Sequence, residues 1–160
     1  MKKFILLVAI VATASIQILF AQHADSSINL SGLLNQYYAI KDALVAGNGN
    51  NTSAGAAQFV KTLQSLQEGV ITANSKAALL KDAAPLAANS DVKKQREAFA
   101  SLSTDMIALA KSVKLSSGPV YQQYCPMKKA NWLSSDKAIK NPYYGSSMLT
   151  CGQVVETFNQ

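Results

Sequence analysis

The chain is 160 residues long and carries 15 basic and 9 acidic residues, for a formal net charge of +6. This length allows one hydrophobic core but not two domains. The basic residues are scattered, with doublets after residue 21 only at Lys93-Lys94 and Lys128-Lys129, whereas a nucleic-acid-binding face needs a denser cluster. This scattered distribution excludes nucleic acid as the expected partner. We attribute the net positive charge to solubility.

The N-terminus has the pattern of a cleaved export signal. Two lysines precede an uncharged apolar run over residues 4–20, and Ala21 is a small residue at the position of a cut site. A retained membrane anchor is the alternative, but the run includes polar residues and lies at the lower limit of a spanning length. A basic pair before a short apolar run is typical of bacterial signals. We therefore predict a signal peptide over residues 1–21 and a single periplasmic domain over residues 22–160, without a membrane span after cleavage.

Two amphipathic helices are predicted in the first part of the mature chain. Over residues 28–45 apolar side chains recur at helical spacing, and the glycine–asparagine run at residues 47–51 ends this stripe. A second helix is expected to start near Thr52 or Ser53, because either side chain can cap it. Its apolar stripe is formed by Phe59, Leu63, Leu66 and Val70.

Two further helical segments follow. An alanine-rich segment over residues 75–84 is expected to end or kink at Pro85. The next helix starts at residues 89–91, which supply a capping side chain and a carboxylate at the positive end of the helix dipole. The predicted fold class is therefore mainly α, an antiparallel bundle of three or four helices over about residues 27–114. The stripe of the last helix consists of Val92, Phe99, Leu102, Met106, Leu109 and Val113.

The helical part carries no catalytic motif that we recognise. It lacks a glycine-rich phosphate loop, a nucleophile elbow and paired carboxylates on a shared helix face. The only histidine, His23, lies beside the predicted cut site, where chain ends are typically disordered. A serine or cysteine nucleophile paired with a histidine base would need a histidine elsewhere. We therefore predict that the protein is not an enzyme.

The segment over residues 119–158 differs from the bundle in composition. It contains both cysteines, Cys125 and Cys151, together with the tryptophan and a cluster of tyrosines. Helical periodicity fades there, and Val120-Tyr121 and Val154-Val155 are candidates for short strands. We expect a small irregular or β appendage that carries both cysteines. Loops with unusual residues are more often functional than structural.

Two short motifs in this appendage pair a thiol with a thioether. Cys125 and Met127 would leave an extended backbone on the same face. Met148 and Cys151 would meet across one helical turn. Thiolate and thioether sulfurs are soft ligands that favour Cu(I) or Ag(I) over hard cations. The four sulfurs predict a soft-metal site, over which the Trp132 indole could lie as a shield.

Each of these features also has a simpler interpretation. In an oxidising compartment Cys125 and Cys151 are expected to pair as a disulfide, worth roughly 3–4 kcal/mol in the chain-entropy account. Met127 and Met148 would fill gaps in the core. Trp132 would be a core aromatic. Spacing alone leaves the metal site and the disulfide open.

Six blocks of the sequence form an ordered pattern. The two helical blocks are residues 38–45 and 95–103, and the four C-terminal blocks are residues 121–127, 131–134, 141–145 and 148–154. Together they resemble a periplasmic family known as domain of unknown function 3347 (DUF3347). The resemblance covers nearly the whole mature chain.

The resemblance implies soft-metal handling, because members of this family also occur appended to the membrane-fusion adaptors of copper and silver efflux systems. It implies no catalytic role. The expected function is buffering or passing of Cu(I) or Ag(I) in the periplasm, with an efflux adaptor or another envelope protein as partner. The alternative is a metal-free, disulfide-stapled interaction module. Carried over to this chain, the implied ligands are Cys125, Met127, Met148 and Cys151, with Trp132 and Tyr124 behind them.

Overall fold

The computed structural model describes residues 30–159, in which helices come first and a small sheet follows them. The predicted fold class, mainly α with a small β appendage, is confirmed, and the described part contains four α-helices. The predicted signal peptide and His23 lie outside the described residues. The helices are α1 (residues 30–45), α2 (Gly49–Ser65), α3 (Ala73–Ala87) and α4 (Val92–Ser112). The strands are β1 (Val120–Cys125), β2 (Ala130–Ser134) and β3 (Gln153–Phe158), with a short 3-10 helix at Gly145–Met148.

Each helix buries one apolar face in a common core. The third helix, α3, packs against both α2 and α4. Full burial of one leucine or phenylalanine side chain contributes roughly 1.5–3 kcal/mol, so this core supplies most of the favourable free energy of folding. None of the helices in residues 30–159 combines the length and apolar character needed to span a membrane. The fully buried side chains that define the core include Leu33, Tyr37, Ile40, Phe59, Leu63, Leu79, Leu86, Phe99, Leu102 and Met106.

Side-chain caps set where the later helices begin. The cap of α2 is Asn48, so this helix starts at Gly49 and the prediction of Thr52 or Ser53 was wrong. Only glycine fits at position 49, because a Cβ there would overlap the Ser90 carbonyl. The predicted start of α4 is confirmed, since the preceding aspartate accepts hydrogen bonds from two backbone N–H groups of the first turn.

Pro85 was predicted to end or kink its helix, and the predicted end was wrong. The helix α3 starts at Ala73, after a Thr72 cap, and continues past Pro85 to Ala87. Proline removes one intrahelical hydrogen bond, the one to the carbonyl four residues earlier. Pro85 and Lys81 are both exposed, so water can hydrogen-bond to the freed carbonyl and the last turn persists.

The three strands form an antiparallel sheet in the order β2-β1-β3. Both predicted strands are confirmed as β1 and β3, whereas β2 was not predicted. Strand β2 packs against α4 and buries Trp132, Leu133 and Ser134. Strand β3 is exposed along most of its length and forms the outer edge of the sheet. The sheet therefore rests on the bundle through β2 and leaves β3 towards solvent.

One buried hydroxyl joins the sheet to the bundle. The Tyr37 hydroxyl exchanges a 2.7 Å hydrogen bond with Ser103 Oγ on α4 and accepts one of 3.1 Å from Leu133 N–H on β2. Its ring stacks on Phe99, with 5.2 Å between ring centroids. A fully buried hydroxyl with both hydrogen bonds made fixes the position of β2 relative to α1 and α4.

The first prediction concerns two carboxylates that meet between α3 and α4. Partial burial, then the charge and hydrogen bond of Asp105, raise the pKa of Asp82 above its usual range. Because the folded state holds this proton more tightly than the unfolded chain, Asp82 stabilises the fold at acidic pH and loses that contribution as pH rises through its folded pKa. We expect Asp82→Asn to be more stable than the wild type at pH 7, by roughly the few tenths of a kcal/mol typical of like-charge surface pairs.

Urea unfolding between pH 3 and 8 measures this effect. The advantage of Asp82→Asn should vanish as pH falls below the raised pKa. Glu68→Gln removes an exposed carboxylate and is the matched control. A destabilised Asp82→Asn at neutral pH would contradict the interpretation.

Candidate metal centre

Pairing of β1 with β3 brings the two cysteines together. Cys125 is the last residue of β1, and Cys151 lies just before β3, whose Gln153 pairs with Tyr124. The two Sγ atoms are 4.0 Å apart and both residues are free thiols. Cys125 is fully buried, whereas Cys151 is half-buried. The structure thus brings together two of the four predicted ligands, with one of them accessible from solvent.

The turn between β1 and β2 directs backbone donors at both sulfurs. Lys128 N–H donates to Cys125 Sγ at 3.4 Å, and the Met127 backbone N–H hydrogen-bonds to the Cys151 thiol. The turn is closed by a 2.8 Å hydrogen bond from Lys129 N–H to the Cys125 carbonyl, with Lys129 at φ 56°. Hydrogen bonds from N–H groups stabilise the charged form of a thiol. The Met127 N–H therefore acts to lower the pKa of the Cys151 thiol.

The proximity of the two thiols opposes that effect. Burial raises the pKa of the Cys151 thiol, the hydrogen bond and charge of Cys125 raise it further, and the Met127 N–H lowers it. Two thiolates at this distance repel one another, and a bound cation would relieve the repulsion. In the structure the two thiols share one hydrogen bond, in which either sulfur can be the donor.

The two methionines lie at the surface, beside the cysteines in sequence. Met127 is 62% exposed and Met148 is 39% exposed, so the alternative that they fill gaps in the core was wrong. Nor do Cys125 and Met127 extend along one strand, because β1 ends at Cys125 and the chain turns there. Met148 and Cys151 do span a single turn, since Cys151 N–H donates to the Met148 carbonyl at 3.1 Å. Within residues 30–159 no group of three or more His, Cys, Asp or Glu side chains is placed to hold a metal ion.

Trp132 and Tyr124 lie next to the residue that follows Cys151. Trp132 is fully buried, and its indole is so close to Gly152 that an added Cβ would be 2.9 Å from Cη2. The Tyr124 carbonyl is equally close to the same position. Trp132 is thus a core aromatic that packs against Gly152, the residue after Cys151.

Sequence reasoning did not identify Asn141 as a site residue. This side chain is fully buried, and its Nδ2 donates a 2.8 Å hydrogen bond to the Cys151 carbonyl. Its Oδ1 accepts one of 2.9 Å from Tyr143 N–H. Tyr143 is itself buried and donates from its hydroxyl to the Asn131 carbonyl on β2. The one sequence feature that marked Asn141 was its place in the block at residues 141–145, which carries part of the family resemblance.

Arg96 connects the same loop to the bundle and was also missed as a site residue. From α4, its Nε donates to the Pro142 carbonyl at 3.0 Å and its Nη2 donates to the Leu44 carbonyl of α1 at 2.9 Å. Gly145, at φ 56°, lies against the guanidinium and the Val45 carbonyl, where a Cβ would overlap both. The helical bundle therefore positions the loop that leads to Cys151.

Comparison with known proteins gives a family but no described activity. A family model with the description "Protein of unknown function (DUF3347)" matches residues 33–118, which is more than half of the chain. The chain belongs to the DUF3347 family. The DUF3347 match begins within α1 at residue 33, covers α2, α3 and α4, and ends just before β1, so the cysteines and methionines of the candidate site lie beyond it. No curated protein and no solved structure matches the chain.

The second prediction concerns Gly152, which adopts φ 149° and contacts Trp132 and Tyr124 without a side chain. We expect Gly152→Ala to destabilise the fold by about 1–3 kcal/mol, because both the backbone conformation and the close contacts exclude a Cβ. Urea unfolding followed by the fluorescence of the single tryptophan measures this loss. Gly118→Ala is the control, since its nearest contact would be at 3.9 Å. Equal stability of the two variants would contradict the steric argument.

Proposed function

We propose that the protein binds a soft monovalent ion, Cu(I) or Ag(I), through the sulfurs of its appendage. The observation that carries the proposal is the 4.0 Å separation of the Cys125 and Cys151 sulfurs. Half of this separation is 2.0 Å, so an ion between them needs only a small outward shift to reach a metal–thiolate distance of about 2.3 Å. A site with two thiolate ligands suits a soft ion of low coordination number. The Met127 and Met148 thioethers are candidates for further ligands.

Exposure of the sulfurs supports exchange of the ion with a partner. The buried Cys125 would hold the ion, while the half-buried Cys151 and the exposed Met127 and Met148 would be replaced one sulfur at a time by incoming ligands. The protein would then buffer copper in the periplasm, after export by its predicted signal, or pass it to an efflux adaptor. The proposal involves no catalysed reaction.

Oxidation of the two cysteines to a disulfide would prevent metal binding at this site. A disulfide requires its sulfurs to approach to about 2.05 Å. From 4.0 Å apart, Cys125 and Cys151 reach that distance with side-chain movement of only about 2 Å. The bond would consume both thiolates, so metal binding is expected only when the pair is reduced.

The third prediction tests the thiols directly. We expect Cys125→Ser and Cys151→Ser each to lower the affinity for Cu(I) by more than about a hundredfold, since losing even an outer partner of a metal ligand costs roughly 10–100-fold. Anaerobic competition with a Cu(I) chelator measures the affinity, and circular dichroism verifies that each variant is folded. Cys125→Ala replaces the buried serine if a hydroxyl is not tolerated there. Wild-type affinity in folded single variants would exclude the thiols as ligands.

The fourth prediction concerns the thioethers. We expect Met127→Leu and Met148→Leu to keep the fold, because both side chains are exposed, and to weaken Cu(I) binding by about tenfold. Met106→Leu, a substitution of the buried methionine in α4, is the matched control and should leave the affinity unchanged. Unchanged affinity in both exposed variants would remove the thioethers from the ligand set.

A second candidate function is a metal-free interaction module with a permanent Cys125–Cys151 disulfide. It is favoured by the location of the exposed large apolar side chains in residues 30–159, which all lie in the appendage. Exposed apolar side chains grouped in one region are typical of interaction surfaces. Titration of free thiols in protein taken from its native compartment separates the two functions, because a permanent disulfide leaves none. The apolar side chains in question are Met127, Met148, Leu149, Val154 and Val155.

A further inference from the structure

Cys151 belongs to a loop whose two ends are closed by one residue. This loop, residues 141–151, is named the Cys151 loop here. Asn141 N–H donates to the Leu149 carbonyl at 2.8 Å, and Asn141 Nδ2 donates to the Cys151 carbonyl, also at 2.8 Å. At the start of the loop, the Asn141 carbonyl accepts a 3.0 Å hydrogen bond from Gly145 N–H, and Oδ1 accepts from Tyr143 N–H. Asn141 therefore contacts both the first and the last turn of the Cys151 loop.

The chemistry of this position requires an amide. The same side chain must accept from Tyr143 N–H with its oxygen and donate to the Cys151 carbonyl with its nitrogen. An ionised aspartate can only accept, and alanine can do neither. Because Asn141 is fully buried, its lost hydrogen bonds would not be replaced by bulk water.

The two cysteines depend on different parts of the fold for their positions. Cys125 lies within β1 and pairs with Ala130 of β2, so the sheet holds it. Cys151 lies outside the strands, and its neighbours in the loop are exposed. Its backbone is held by the 3.1 Å hydrogen bond to the Met148 carbonyl within the loop and by the Asn141 amide from outside that turn.

We propose that Asn141 is a positioning residue for the sulfur pair, holding Cys151 so that its Sγ stays within 4.0 Å of Cys125 Sγ. The expected effect of Asn141 on metal affinity rests on the proposed function. Its expected effect on disulfide formation does not, because sulfurs held together form a disulfide more readily whether or not they bind a metal.

Asn141→Asp is the sharpest test, since it keeps the acceptor for Tyr143 N–H and removes the donor to Cys151. The first measurement is the equilibrium with glutathione. One oxidised glutathione takes two electrons from the Cys125–Cys151 dithiol, leaving the protein disulfide and two reduced glutathiones that carry the two thiol protons. The second measurement is the anaerobic affinity for Cu(I). Asn74→Asp, at an exposed position in α3, is the matched control.

We expect Asn141→Asp to disfavour the protein disulfide by about tenfold, the loss expected from one buried hydrogen bond, while Asn74→Asp changes nothing. Cu(I) affinity should fall by a similar factor. If Asn141→Asp does not fold, Asn141→Ser gives the same comparison, since its hydroxyl can accept locally but is too short to reach Cys151.

The two measurements separate failure of this proposal from failure of the proposed function. A shifted glutathione equilibrium in a protein that never binds Cu(I) supports the role of Asn141 and overturns the metal site. Unchanged glutathione equilibrium and unchanged Cu(I) affinity in a folded variant overturn the role of Asn141, whatever the wild type binds. A loss of stability with both site measurements unchanged would likewise make Asn141 a residue of the fold alone.

Discussion

Backbone pairing between β1 and β3 is the constraint on which the candidate site depends. It brings together Cys125 and Cys151, 26 residues apart in sequence, and places their sulfurs 4.0 Å apart. The intervening residues form β2 and the Cys151 loop, and both are attached to the helices. Closing such a long connection costs conformational entropy, which the burial of β2 on α4 offsets. The sulfur pair is therefore a product of the whole fold.

The helical bundle carries the sheet through aromatic packing and hydrogen bonds. Four aromatic rings pack one against the next, with neighbouring centroids 5.2–5.9 Å apart. In order they are Tyr37 on α1, Phe99 on α4, Tyr143 and Trp132. Arg96 adds hydrogen bonds from α4 to the carbonyls of the Cys151 loop and of α1. The DUF3347 match covers the helices that provide this support, and the sulfur residues follow it in the chain.

Periodicity predicted the helices well, because burial of one face is a local property of each segment. Helix ends were harder, since Asn48 caps α2 from within a run that looked like a turn, and Pro85 is tolerated where its freed carbonyl meets water. The four sulfurs were chosen from ligand chemistry. The two cysteine sulfurs lie 4.0 Å apart and both methionines lie at the surface, while the metal site stays a prediction. The block at residues 141–145 marked Asn141, but its hydrogen bond to the Cys151 carbonyl could not be predicted, because the two groups meet only once the loop has closed.

The proposed soft-metal site and the alternative disulfide would use the same two sulfurs, so the redox state of the pair would decide between them. The most direct measurement is anaerobic titration of the purified protein with Cu(I) against a competing chelator, with and without a thiol reductant. We predict tight binding of one Cu(I) per chain in the reduced protein and none in the oxidised protein. Absence of binding in the reduced protein, with both thiols shown to be free, would contradict it.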